Sequence, residues 1–288
     1  MNKRNLLIIS NRGFIGKSIF NSLKIYKDYS VYGLNSQNCN LLNLNKTKKT
    51  ISKIINKPFT IIFLSTFGRF PEDNYSVFNK NIKMITNFLN SINKAFIEQF
   101  IFFSSTCLYG RPPKSLPIHE NLECIPNSYY GLSKYVSESL IKLQISCPIT
   151  IIRIPGVYGE LDNNKSIISN FISNINQNKS ITIYDKGLVL RDYVYIDDII
   201  KIINKSIYSK LDTTINIATG ESIKIIDILN MIQDKLNIEG NINFINSGHT
   251  QFNMSFDITN LRNIFPKFTP TNINDGISKI IKIKSKII

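Results

Sequence analysis

Tyr130 and Lys134 stand four residues apart in the run Ser128-Tyr129-Tyr130-Gly131-Leu132-Ser133-Lys134. On a helix this spacing puts the phenol and the ammonium on one face, a turn apart. A tyrosine of pKa about 10 is a poor base at neutral pH, and lowering that value to about 7 needs about 4 kcal/mol of differential stabilisation. A neighbouring cation works in that direction. The pair therefore fits proton transfer, and it fits a solvated helix face equally well, because Tyr and Lys at this spacing also recur there.

The elements that would carry such a pair follow from hydrophobic patterning. Residues 5 to 9 form an apolar run that reads as a buried parallel strand, and Gly13 to about Ile25 as the helix after it. The unpaired amides at the start of that helix make an anion site. Further strands are expected at Ser30 to Leu34, Thr60 to Ser65, Gln99 to Phe103 and Thr150 to Ile154, with helices at 75 to 92 and 129 to 145. From about residue 160 the alternation is lost, and the Asn-rich stretches at 161 to 165 and 174 to 179 read as loops and a short helix.

Four stretches occur in a telling order. They are Leu6-Leu7-Ile8-Ile9-Ser10-Asn11-Arg12-Gly13-Phe14-Ile15-Gly16, then Phe102-Phe103-Ser104-Ser105-Thr106-Cys107-Leu108-Tyr109-Gly110, and, beyond Tyr130, Arg153-Ile154-Pro155-Gly156-Val157-Tyr158-Gly159 and Arg191-Asp192-Tyr193-Val194-Tyr195-Ile196-Asp197-Asp198. Together with the tyrosine and lysine they resemble the extended short-chain dehydrogenase/reductase family, the NAD(P)-dependent epimerases, dehydratases and ketoreductases of nucleotide sugars, over nearly the whole chain. The resemblance implies an α/β chain. A Rossmann-type doubly wound parallel sheet would cover 1–158, with a return segment near 189–215, and a smaller C-terminal α/β lobe for the nucleotide sugar would cover 159–288.

The resemblance also implies roles. A nicotinamide cofactor would be held by Ser10, Arg12, Gly13, Phe14, Ile15 and Gly16 in the first turn, and by Asn35, Asn40 and Leu41 after the second strand. Leu64, Ser65, Thr66 and Asn81 would follow, with Tyr130, Lys134 and Pro155 at the nicotinamide end. Ser10 stands where the family has its first glycine. Asn35 or Ser36 stands where NAD-binding folds place an acid on the adenosine ribose, and Arg12 is able to pair with a 2'-phosphate, so the chain leans to NADP over NAD. Ser105 would hold the reacting sugar oxygen, Tyr130 would exchange its proton, and Lys134 would set the phenol's pKa and bind the nicotinamide ribose. Ser105, Thr106, Cys107 and Arg191 would contact substrate, with Arg191 on the diphosphate. Relatives often have a second diphosphate arginine where Ser247 stands, a loss for which His249 is the candidate compensation. Asp197-Asp198 is read as capping and interlobe hydrogen bonding, without a metal.

Within this family the sequence narrows the chemistry. Dehydratases carry an Asp-Glu pair where this chain has Thr106-Cys107, so water elimination lacks its acid and base. Cys107 resembles the cysteine of fucose synthases, but Tyr158-Gly159 is followed directly by Glu160-Leu161-Asp162-Asn163, with no histidine among them, so a structural, half-buried thiol is expected. The reading that results is an oxidoreductase at C4 of a nucleotide-diphosphate sugar, leaning to a 4-ketoreductase of a 4-keto-6-deoxy sugar in polysaccharide biosynthesis. The alternatives are a 4-epimerase that retains its NAD, and a silent cofactor-binding regulator or subunit. Helices 75–92 and 129–145 are expected to form a homodimer.

Composition excludes other classes. The 288 residues carry a formal charge of +15, but the lysines are dispersed among Ile and Asn, which argues against a nucleic-acid partner. The four cysteines, Cys39, Cys107, Cys124 and Cys147, lack metal or redox spacing. No apolar run approaches a membrane span and no secretory leader is evident, so a cytoplasmic, non-membrane protein is expected.

Overall fold

A computed structural model describes residues 3–163, 166–248 and 250–284. In the first half, strands alternate with helices: β1 (Arg4–Ile9), α1 (Phe14–Leu23), β2 (Tyr29–Leu34), α2 (Leu44–Ile54), β3 (Phe59–Phe63), α3 (Tyr75–Leu89), β4 (Ile97–Phe103), α4 (Tyr129–Gln144) and β5 (Ile149–Arg153). Leu6, Leu7, Ile8 and Ile9 of β1 and all five residues of β3 are buried. Strands covered on both faces read as continuous apolar runs, and these do. The six-stranded sheet runs in the order Thr213–Asn216, β5, β4, β3, β1, β2. β1 pairs in parallel with β2 and β3, β3 with β4, and β4 with β5. The doubly wound α/β fold expected from the sequence is present.

Chain direction reverses across the sheet between β1 and β3. In open α/β sheets that switch point, at the carboxyl ends of the strands, is where ligands bind. Here it is flanked by the turn after β1 and the loop after β3. α2 had no counterpart in the sequence expectation, yet Asn43 caps it, its side chain accepting from Lys46 N–H at 2.9 Å.

The first turn shows how a serine replaces a glycine. Ser10 holds φ at +82°, a left-handed backbone. A Cβ on Gly16 would lie 2.1 Å from the Ser10 carbonyl oxygen, so only glycine fits there. A non-glycine residue at positive φ costs about 1–2 kcal/mol, partly offset by the extra freedom glycine has when unfolded. Ser10→Gly is therefore expected to raise stability by about 0.5–1 kcal/mol, read by denaturant titration.

The chain clusters into two compact units, residues 1–111, 123–154 and 200–215 forming one, and 112–122, 155–199 and 216–288 the other. This differs from a division at 158 in two ways. Residues 112–122 belong with the second unit, because Ile118 bridges Phe256 and its N–H donates to Ser255 O at 2.8 Å. The return to the first unit starts at 200, since Asp198 is tied to Thr271 by bonds to its N–H and hydroxyl at 2.6 and 3.0 Å. The second unit is built from short strand pairs, Gly156–Tyr158 with Tyr193–Tyr195, Leu190–Arg191 with Ile223–Lys224, and Ile181–Tyr184 with Ile242–Ile245. Helices Ile167–Asn176, Ile225–Leu236 and Ile273–Lys284 accompany them. Among the described residues no helix is long and apolar enough to cross a membrane.

Candidate functional site

Two adjoining cavities open at the switch point. One, of about 380 Å³, is lined by Ser10, Arg12, Gly13, Asn35, Asn40, Leu41, Ser65 and Thr66 together with Ser36, Cys39, Phe67 and Met84. The other, of about 260 Å³, is lined by Ser10, Gly13, Phe14, Ile15, Gly16, Leu64, Thr66, Tyr130 and Lys134 together with Phe103, Ser104 and Ile154. Ser10, Gly13 and Thr66 belong to both, so the two form one groove. Side chains of Asn43, Asn74 and Ser128 cap α2, α3 and α4, whereas no side chain caps α1 at Gly13. The exposed amides of α1 and the close-packed turn suit a pyrophosphate, so the groove fits a dinucleotide.

Two residues expected on the cofactor do not line this groove. Asn81 instead accepts from Phe67 N–H at 2.7 Å and donates to Phe67 O at 3.1 Å and to Ser133 Oγ at 3.2 Å. Its amide is consumed in holding the loop after β3 onto α4. Pro155 lies just beyond the wall residue Ile154, in the second unit. Sequence reasoning missed Cys39 and Met84, whose apolar character signalled only core.

Tyr130 and Lys134 share one face of α4, as their spacing required. Ser105 is buried, its Oγ accepts from Cys107 N–H at 3.2 Å, and its hydroxyl pulls the Tyr130 phenol down against the effect of burial. Lys134 is buried, donates to Phe103 O at 2.8 Å, and sits 5.7 Å from the centre of the Tyr130 ring. Thr106 and Cys107 are buried beside Ser105. Of the three expected groups, Tyr130 and Lys134 line the smaller cavity, and Ser105 lies next to its wall residue Ser104.

Their electrostatics differ from the sequence expectation. Burial drives the Tyr130 phenol above its ordinary pKa, and the groups that pull it down are Ser105, through its hydrogen bond, and Arg111, through its charge. Burial also lowers Lys134 to about 8, against the opposing pull of Glu138 and Cys107. Loss of water around both groups outweighs their mutual attraction in the protein alone. Tyr130 is held as a proton donor.

Behind these groups lies a buried ion pair. Glu138 and Ser137 of α4 are both buried, at 3% and 4% exposure. Glu138 takes Arg153 Nε at 3.1 Å and Nη2 at 2.7 Å and accepts from the Ser104 hydroxyl. Arg153 Nη1 reaches the Tyr109 hydroxyl at 2.9 Å. Asp73 accepts the Tyr130 backbone N–H at 2.8 Å and pairs with Arg69 at 3.4 Å, which assigns Arg69 a structural partner.

In the second unit, Arg191 Nη1 donates to Leu190 O and Phe252 O at 2.9 and 2.6 Å and its guanidinium packs 4.7 Å from the Phe252 ring. Asp192, read as its rival ion partner, is spent on Thr219 and Gly220, accepting their N–H groups and the Thr219 hydroxyl. Asp198 bonds within its own unit to Thr271. A cleft of about 540 Å³ lies beside Phe252, lined also by Leu188, Val189, Gln251 and Asn253. Ser247 is locked onto Asp185 through its N–H and hydroxyl, and His249 lies outside the described residues. Cys107 is fully buried, not half-buried, and accepts from Arg111 Nη2 at 3.1 Å.

Comparison with known proteins agrees with this geometry. Residues 6–218 match the family model described as the NAD dependent epimerase/dehydratase family. A Methanocaldococcus jannaschii protein provisionally named a UDP-glucose 4-epimerase is 30% identical over 82% of this chain and 83% of its own length. The dTDP-4-dehydro-6-deoxyglucose reductase of Escherichia coli is 26% identical over 97% of both chains. The crystal structure of a UDP-glucose 4-epimerase from Thermotoga maritima with UDP-glucose superposes with a TM-score of 0.84 at 20% identity, covering 98% of this chain and 99% of that one, a likeness of fold.

Proposed function

Because this chain belongs to the NAD dependent epimerase/dehydratase family and is an enzyme using a nicotinamide cofactor, we propose that it is an NADP(H)-dependent oxidoreductase acting at C4 of a nucleotide-activated sugar, a 4-ketoreductase of a 4-keto-6-deoxy sugar. The observation that carries this reading is Tyr130 lining the groove beside Lys134, whose ammonium lies 5.7 Å from the phenol ring, on the same wall as the turn after β1. Ser105 donates to the sugar's ketone oxygen, and Tyr130 passes that oxygen its proton. A phenol kept protonated by burial suits this direction of reaction. Lys134 holds the nicotinamide ribose, and Arg191 in the second unit takes the diphosphate. The cofactor, when bound, supplies hydride to C4.

NADP is favoured by Arg12, exposed at the rim of the larger cavity, and by Asn35, which carries no charge to repel a 2'-phosphate and donates to Asn11 Oδ1 at 3.0 Å. The test is incubation with UDP-, dTDP-, GDP- and CDP-linked 4-keto and 4-hydroxy sugars, with NADPH or NADH, while cofactor absorbance is followed. Stoichiometric NADPH consumption is expected, and Arg12→Ser should weaken NADPH binding about 10-fold with little effect on NADH. Turnover without cofactor consumption, from a tightly retained NAD, would establish the 4-epimerase reading, which the M. jannaschii relative favours.

We infer further that α3 and α4 form a homodimer contact. Tyr75, Tyr129, Leu132 and Tyr135 are exposed on these helices, with Tyr75 packed against Phe78 and Tyr129 at 6.3 and 6.4 Å between ring centres. Light scattering is expected to give twice the chain mass, and Tyr135→Glu to give the monomer.

A further inference from the structure

Arg111 is a cation that the reading above leaves without a task. It follows Gly110, whose φ of +89° bends the chain back toward α4. Its backbone is clamped on both sides by Asn127, which accepts its N–H at 3.1 Å and donates to its carbonyl at 2.7 Å. Asn127 directly precedes Ser128, the cap of α4. The same loop packs so closely on that helix that a Cβ on Gly131 would lie 2.6 Å from the Cys107 carbonyl oxygen. The guanidinium is thereby fixed at the flank of Tyr130, with Nη2 3.1 Å from Cys107 Sγ. Its Nε is buried and has no hydrogen-bond acceptor. Among the described residues no carboxylate forms an ion pair with it.

A thiol is a weak acceptor. A partly buried guanidinium answered only by a thiol is an uncompensated charge, and proteins seldom keep one without an anion to meet it. Negative charge arises at one place nearby, where the Tyr130 phenol and the sugar oxygen share a proton. We propose that Arg111 is a further positioning residue for this reaction, a fixed cation that stabilises this charge through its field without touching the sugar. The proton moves between the phenol and the sugar oxygen, and Arg111 keeps its own protons throughout. The role rests on the proposed C4 chemistry.

The charged and titratable groups facing the phenol are Cys107 and Arg111 on the loop and Lys134 on its own helix, with Asp73 at its backbone N–H. Removing Arg111 takes away the cation that lowers the phenol's pKa. The experiment uses the full-length protein with the cofactor and sugar that the substrate panel identifies, comparing Arg111→Met, Arg111→Lys and Cys107→Ser. Arg111→Met is expected to lower kcat about 100-fold and to move the alkaline limb of the pH profile upward by about one unit, with cofactor affinity changed less than about twofold. Arg111→Lys is expected to recover part of the rate and return the limb toward its original position. Cys107→Ser should not move the limb upward, because Cys107 raises the phenol and its loss leaves the charge of Arg111 in place. If Arg111→Met keeps its rate within about threefold and the limb stays put, the proposal is overturned. It is overturned too if Arg111→Lys is folded and as impaired as the methionine variant. A panel that yields no turnover with any sugar instead refutes the C4 chemistry, which separates the two failures.

Discussion

Tyr130→Phe lowers turnover about 10³-fold while cofactor affinity stays within about twofold of the unaltered protein. The ring remains to pack in the groove beside Lys134, so the lesion is confined to one hydroxyl and its proton. Ser105 then keeps the sugar oxygen in place but gains no proton relay, since its own neighbour in the chain of bonds was the missing phenol. Stopped-flow nicotinamide absorbance measures the rate, and fluorescence quenching the affinity. The sign of the pH dependence follows from the raised phenol pKa: in ketone reduction the active form is protonated, so the rate holds through neutral pH and falls only as pH climbs into the range of the phenol. A variant that kept more than about a tenth of the rate would remove Tyr130 from the chemistry.

Glu138→Gln destabilises the fold by about 3–5 kcal/mol, a large fraction of the 5–15 kcal/mol typical of a whole protein. Arg153 is left as a buried cation, with side-chain exposure of only 7% against 4% for its partner. Water cannot replace the two lost charge-assisted bonds at that depth. Arg153→Met makes the complementary error and is expected to cost about as much. Replacing both, as Glu138→Leu with Arg153→Met, removes both charges together and is expected to be milder than either single change. Urea denaturation of the unaltered protein, Glu138→Leu, Arg153→Met and the double variant closes the cycle, and a double-variant loss equal to the sum of the two single losses would show that the pair contributes no coupling. Activity in the singles falls as well, because Ser104, which donates to Glu138, is the neighbour of Ser105.

Much of this was legible in the residues, and the limits have physical causes. β1 and β3 announce themselves as apolar runs because both faces are covered, and the Tyr130–Lys134 spacing survives because an α-helix preserves it. Fourteen of the sixteen residues expected on the cofactor line the larger or smaller cavity, most of them in the turn after β1, whose geometry the glycines dictate, as Gly16 shows, and in the short loops after β2 and β3. What sequence reasoning missed is long-range. Glu138 looked like one more helix-surface acid until Arg153, from the next strand, met it in the interior. Asn81 carried the right residue type and took up a different duty, since only the fold brings Phe67 to its amide. Arg111 had no local signature, because its position depends on Asn127 sixteen residues on.

The missing side-chain cap on α1 has a consequence for the protein as a whole. Its first turn leaves backbone donors that only a bound anion completes, so the resting chain is unfinished at one helix end. A ligand present at a hundred times its dissociation constant adds about 2.7 kcal/mol to folding by mass action. Added nicotinamide dinucleotide is therefore expected to protect the protein against denaturation, so that its lifetime would follow its cofactor supply.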